Sequence, residues 1–242
     1  MIEIVAVSDE EKGSIHKIIK KCDILLGCGD LSPGYFDFLL NTLTPKISLM
    51  IYGNHDKKYF KKFEDINLND FSDIYTGIKV IHNEIINIKS ALNISEDVYI
   101  TGFSGALSYG KKPFHFKEKD AKAFCHKLNR SKFLNRFKKL DVIISHSPPG
   151  ISNIFDDMDD YHKGSKQLAK IYLKYFPKIW FYGHIHPRYT SKPLNFKIYY
   201  KGRISYLLNT VPFKYVLYDE NLHDIVKIKG ENGRIKLKEI YL

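Results

Sequence analysis

Asp9, Asp30, Asn54, His146, His184 and His186 each stand at the end of a short apolar run. The run 2–8 (IEIVAVS) leads into Asp9, and 23–27 (DILLG) leads to Gly29-Asp30. The run 47–52 (ISLMIY) leads to Gly53-Asn54-His55-Asp56, 141–145 (DVIIS) to His146, and 178–182 (KIWFY) to Gly183-His184-Ile185-His186. One such ending is ordinary, because Asp and Asn are common turn residues. Five together, mixing carboxylate, amide and imidazole, are hard to explain as turns. Those donors suit borderline-hard divalent ions such as Mn, Fe, Zn, Ni or Co. Two ions ~3.5–4 Å apart need one bridging ligand and several ligands each, and these six residues are about the right number.

The runs must be strands for this to work. Between the first three lie Ile15, Ile18 and Ile19 at helical spacing in 12–21, and a second helical stretch opening at Pro33 with Phe36, Leu39 and Leu40. Strand, helix, strand, helix, strand at these lengths predicts a βαβαβ unit with a parallel sheet. In open α/β sheets ligands bind at the carboxyl ends of the strands, where all six residues fall. Further strands are expected at 78–88 and 97–103, and 104–117 reads as a surface loop or insertion. An amphipathic helical pattern covers 118–140 with a break near Asn129–Ser131, and a helix capped by Ser165 covers 165–176. From 196 onward the chain reads as a β-rich tail of short antiparallel strands. No repeat or linker is visible, so one domain spanning 1–242 is expected.

Composition narrows the class. With 44% hydrophobic residues the chain can bury a large core, and 27% charged residues without low complexity argue against disorder. The net charge of +11 favours anionic partners, but it is spread along the chain, which favours a lysine-rich surface over a nucleic-acid stripe. Cys22, Cys28 and Cys125 have neither disulfide nor zinc-finger spacing, and Cys22 and Cys28 read as core residues. The first residues turn acidic too early for a signal peptide, and no apolar stretch reaches the ~20 residues of a membrane span. A reduced, cytoplasmic protein without membrane association is the expectation.

Taken in order, Gly29-Asp30, Gly53-Asn54-His55-Asp56, Ser145-His146 and Gly183-His184-Ile185-His186 closely resemble the calcineurin-like metallophosphoesterase superfamily, over Asp9 to His186. The resemblance implies a four-layer αββα sandwich, a mixed α/β fold with two β-sheets face to face flanked by helices. It implies two divalent metal ions, Mn or Fe foremost, with Zn, Ni or Mg as alternatives. Asp30 would bridge them, Asp9 and His186 would hold the first, and Asn54, His146 and His184 the second. His55 would protonate the leaving oxygen, with Asp56 orienting its ring. The family has Asp-x-His at the first motif, whereas Glu11 occupies the histidine's place here. As a ligand Glu11 would favour Mn, Fe or Mg over Zn; otherwise it is a helix-start carboxylate.

The bland readings differ by site. Asp9 and Asp30 could be turn residues, Asn54 a helix cap, and His146 a surface histidine before the rigid Ser147-Pro148-Pro149 turn. The constellation outweighs each of these. His162 falls in a segment placed near substrate in similar proteins, with a surface loop as the alternative. Lys57, Lys58, Lys61 and Lys62 read as a solvated helix face, and Tyr109, Phe114 and Phe116 are candidates to cover a pocket. The expected function is hydrolysis of a small-molecule phosphodiester or phosphomonoester. Alternatives are a nuclease on the same fold, or a non-catalytic scaffold for which Glu11 is the only support. The oligomeric state is open.

Overall fold

A computed structural model describes residues 1–56, 77–107 and 114–242, so Lys57, Lys58, Lys61, Lys62 and Tyr109 lie outside the described residues. In chain order the elements begin β1 (Ile2–Val7), α1 (Ile15–Ile18), β2 (Ile24–Gly27), α2 (Pro33–Leu43), β3 (Ile47–Met50) and β4 (Lys79–Val80). They continue with β5 (Ile85–Asn87), α3 (Lys89–Leu92), β6 (Tyr99–Phe103), β7 (Ala106–Leu107), β8 (His115–Phe116), α4 (Glu118–Phe133) and β9 (Val142–Ser145). After these come α5 (Lys166–Tyr175), β10 (Ile179–Tyr182), β11 (Asn195–Tyr200), β12 (Arg203–Asn209), β13 (Phe213–Asp219), β14 (Asp224–Gly230), β15 (Gly233–Arg234) and β16 (Lys238–Tyr241).

Two large mixed sheets result. The first has the order β15-β14-β13-β1-β2-β3-β4, and the second β16-β11-β12-β10-β9-β6-β5. Strands β1, β2 and β3 are parallel and in register, with Val7 beside Gly27 and Gly27 beside Met50. Strands β6, β9 and β10 are likewise parallel, with Phe103 beside Ser145 and Ser145 beside Tyr182. Each sheet therefore presents several carboxyl ends along one edge.

The apolar runs are continuous because both faces of these strands are covered. Alternate residues of a strand point to opposite faces. Ile2, Ile4 and Ala6 of β1 join Val142, Ile144, Ile179 and Phe181 in a core between the sheets. Val5 and Val7 join Ile15, Phe36, Leu39 and Leu43 from α1 and α2. On the second sheet, Ile143, Trp180 and Tyr182 pack with Ala121, Phe124 and Leu128 of α4 and Leu168, Ile171 and Tyr172 of α5. The layers run helix, sheet, sheet, helix.

Several local expectations change. The 12–21 stretch makes one helical turn before Ile19 becomes extended. The 78–88 stretch crosses from one sheet to the other: β4 pairs with β3, whereas β5 pairs with β6. Helix α4 runs through the expected break, since Asn129 is held by a 2.7 Å hydrogen bond from the Tyr175 hydroxyl, and it stops at Phe133. Ser165 caps α5 as expected, accepting from the Leu168 N–H at 3.2 Å. The tail is shared between the sheets and is not wholly antiparallel: β12 runs parallel to β10, and β16 parallel to β11. Phe114 and Phe116 are buried against Tyr52 and Phe103, so among the described residues they contribute to the core. No helix among the described residues is long and apolar enough to cross a membrane.

One buried cation stands apart from this packing. Lys214 on β13 is 5% exposed, and among the described residues its Nζ reaches the carbonyls of Phe213 (3.2 Å) and Val211 (3.5 Å). Burial pushes its pKa down from 10.5 to about 8, with Glu231 opposing. Below the folded value the ammonium is charged in both states, and burying it costs about 3 kcal/mol at 1.36 kcal/mol per pKa unit. Between about 8 and 10.5 the unfolded chain binds the proton more tightly, so stability rises with pH. Lys214→Met is expected to stabilise the fold by about 1–2 kcal/mol at pH 7 once the lost hydrogen bonds are allowed for. That gain should shrink toward pH 10.5. Urea unfolding of both proteins across this window checks it; equal stability at pH 7 would refute it.

Candidate metal centre

The carboxyl ends of the two sheets meet at one edge, and most of the residues singled out above meet there with them. Asp9 follows β1 and Asp30 follows β2, both with left-handed backbone (φ 61° and 60°), and His184 follows β10 at φ 67°. Left-handed non-glycine residues are uncommon and concentrate where function holds them. Here the turn swings each side chain back across the sheet edge. The space is tight: a Cβ on Gly183 would lie 2.6 Å from Asp9 Oδ2, and one on Gly53 would collide with the Asp30 carboxylate. Glycine at these two positions is required by close approach.

At the centre sits His146, fully buried. Its Nδ1–H donates to the Cys28 carbonyl at 2.9 Å. Its Nε2 faces Asn54 Oδ1 at 2.9 Å and Asp30 Oδ2 at 3.2 Å. Donor atoms of Asp9, Asp30 and His146 all lie within 4.8 Å of one another. Asp30 Oδ1 accepts from the His55 N–H at 2.7 Å, which draws the third loop onto the second. The His55 side chain is exposed at the rim.

The other two histidines come from the loop after β10. The His184 N–H donates to Asp9 Oδ2 at 3.0 Å, and its Nε2 faces the Tyr161 carbonyl at 3.2 Å. Nδ1 is then the nitrogen left to face the cluster. The His184 ring lies 5.0 Å from the ring of His146 and 5.0 Å from that of His162. His162 is thus brought beside the cluster, its Nδ1 held by Asp159 at 2.8 Å. His186 Nε2 is 3.6 Å from Asp9 Oδ1.

Two expected roles are altered. Glu11 does not join the cluster: it is exposed, and its Oε1 accepts from the Ser32 N–H at 2.7 Å, at the start of α2. Its neighbour Glu10 lies 3.3 Å from His186 Nδ1 instead. Three consecutive acids after the first strand are the only sequence signal for it. Asp56 orients no ring among the described contacts. It is buried, and its Oδ2 accepts from the Asp30 N–H (2.9 Å) and the Gly53 N–H (2.7 Å), fastening two site loops together.

The electrostatics show what the cluster is built to hold. Burial pushes Asp56 up to about 7, and the charge of Asp30 adds to it. Burial also raises Asp9, with Asp30 adding to the effect. Burial opposes a charge on His146, but Asp30 and Asp9 outweigh it and hold the imidazolium up at about 10. Burial likewise opposes the charge on Asp30, yet His146 and the hydrogen bonds keep it well below the usual carboxylate range. Burial, then His146 and His162, press His184 down to about 3, leaving a neutral imidazole with a free lone pair. Two buried carboxylates thus share one proton-borne positive charge, so the donor set fits a divalent cation in place of that proton.

A two-sheet αββα sandwich with oxygen and imidazole donors gathered at one edge defines the class of protein. The sequence matches the calcineurin-like phosphoesterase model over residues 8–188, and the chain belongs to that family. No curated protein matches the sequence significantly. One crystal structure is similar at TM-score 0.60 and 16% identity, covering 94% of this chain and 98% of that one. The crystal structure of TT1561 from Thermus thermophilus is similar at TM-score 0.57 and 13% identity, covering 95% and 98%. At such identities these likenesses establish the fold alone.

Proposed function

We propose that this protein hydrolyses a small phosphodiester or phosphomonoester at a centre holding two divalent metals, Mn or Fe foremost. The observation that carries this reading is the convergence of Asp30, Asn54 and His146 at 2.9–3.2 Å, with Asp9 and neutral His184 beside them and His55 exposed at the rim. When bound, the metals supply charge to polarise a phosphoryl oxygen and to ease ionisation of the attacking water. The chain's own residues do the rest. Asp30 clusters with Asp9 and His146 and would serve both metals, with Asp9 and His186 holding one and Asn54, His146 and His184 the other. His55, fixed through its N–H and exposed at the rim, is placed to give a proton to the leaving oxygen. His162, whose ring lies 5.0 Å from that of His184, is placed to contact substrate. Cys22, Cys28 and Cys125 are all free thiols, in keeping with the reducing cytoplasm we propose for the protein.

The test is hydrolysis of bis(p-nitrophenyl) phosphate and p-nitrophenyl phosphate by metal-stripped protein with Mn²⁺ restored. Turnover should require metal, and His55→Ala should lower it by roughly 10²-fold or more while leaving metal binding intact. Metal binding without turnover of either ester would move the assignment to a binding scaffold.

A further inference from the structure

Resting on the proposed metal-dependent reading, we infer that Glu10 is the positioning residue for His186. The ring of His186 stands between two carboxylates. Nε2 faces Asp9 Oδ1 at 3.6 Å, and Nδ1 faces Glu10 Oε1 at 3.3 Å. At that separation Nδ1–H donates to Glu10, which leaves the Nε2 lone pair directed at Asp9 and the cluster. Carboxylate partners on the far nitrogen set the tautomer and ring orientation of metal-binding histidines.

The line extends one residue further out. Arg188 Nε lies 3.8 Å from the same Glu10 oxygen, and its guanidinium sits 4.8 Å over the ring of Tyr189. The Tyr189 ring in turn packs 5.7 Å from that of His186. His186 Nδ1 and Arg188 Nε thus approach the same oxygen of Glu10, whose side chain is 23% exposed.

The backbone explains why Glu10 and not Glu11 takes this part. Asp9 in the left-handed region turns the chain, and the Glu10 N–H closes onto the Ser8 carbonyl at 2.6 Å. That turn directs Glu10 toward the β10 loop and sends Glu11 on to the Ser32 N–H. The three consecutive acids divide the work: Asp9 faces the cluster, Glu10 steadies an imidazole, and Glu11 ties the loop to α2.

The experiment compares metal-stripped wild type, Glu10→Ala, Glu10→Gln and Glu11→Ala by calorimetric Mn²⁺ titration. The histidine nitrogens are followed by ¹⁵N NMR in the metal-free proteins. Glu10→Ala should weaken Mn²⁺ at the site holding His186 by roughly 10–100-fold and shift the His186 resonances away from the Nδ1–H tautomer. Glu10→Gln keeps an oxygen acceptor and should restore most of both. Glu11→Ala should bind Mn²⁺ as wild type does. Wild-type affinity and an unchanged tautomer in Glu10→Ala would overturn the inference while leaving the proposed function standing, as would a loss in Glu11→Ala equal to that in Glu10→Ala. A wild type that binds no Mn²⁺ would remove both readings.

Discussion

Asp30→Asn is expected to lower metal-dependent ester hydrolysis by roughly 10³-fold or more while the protein stays folded. Asn keeps the shape of Asp30 and an oxygen for the His55 N–H, which is 2.7 Å away, so the third loop should remain in place. The negative charge is lost, and an amide NH₂ can now occupy the position of Oδ2, 3.2 Å from His146 Nε2. That NH₂ donates where a cation needs an acceptor. In the wild type, Mn²⁺ at about 100 times its dissociation constant should add about 2.7 kcal/mol of stability. For a chain of this size that is a melting-temperature rise of roughly 5–10 °C. The variant should show little of it. Thermal melts with and without Mn²⁺, beside the diester assay, check both parts. A variant keeping a tenth of wild-type turnover, or the full thermal shift, would show that Asp30 is not shared between metals.

Asp56→Ala should be the most damaging single truncation at the site for stability, though Asp56 touches no ester. The alanine leaves the N–H groups of Asp30 and Gly53 without the acceptor that both use. A buried donor without a partner costs about 1–3 kcal/mol, so a loss of about 2–6 kcal/mol is expected from the pair. Activity should fall with it, because the Asp30 loop is released. Asp56→Asn retains an oxygen at the same place and should recover most of the stability and bring turnover to within about tenfold of wild type. The contrast separates two accounts. If Asp56 worked by orienting the His55 ring through its charge, Asn would lose activity as badly as Ala and stability would scarcely change. Urea unfolding and turnover on the two variants decide between them.

Much of the site can be read before the fold because strands covered on both faces leave an apolar signature, and a polar residue ending such a run is conspicuous. Asp9, Asp30, Asn54, His146, His184 and His186 are all visible in that way. Glu10 and Glu11 are not separable by it, since strand alternation stops where Asp9 turns left-handed, and side-chain direction then depends on a torsion angle rather than on spacing. The part played by Asp56 is hidden for another reason: it acts on backbone N–H groups, which carry no mark in the sequence. The directions of β12 and β16 escape a sequence reading because neighbours in a sheet are set by pairing across long stretches of chain. Local alternation reports that a strand exists and is silent on its partner. The expected break in α4 fails because Asn129, a poor helix residue by propensity, is held by Tyr175 from a different helix.

The contact between the His184 N–H and the Asp9 carboxylate joins positions 175 residues apart. Neither sheet can build the donor set alone, since Asp9, Asp30 and Asn54 come from one and His146, His184 and His186 from the other. Closing so long a loop is entropically slow and late, so the centre can form only when the two sheets have already docked. A metal that binds only after that docking would act on the native side of the folding barrier. It would hold the finished sandwich shut by slowing escape from the native state, and would do little to hasten arrival there.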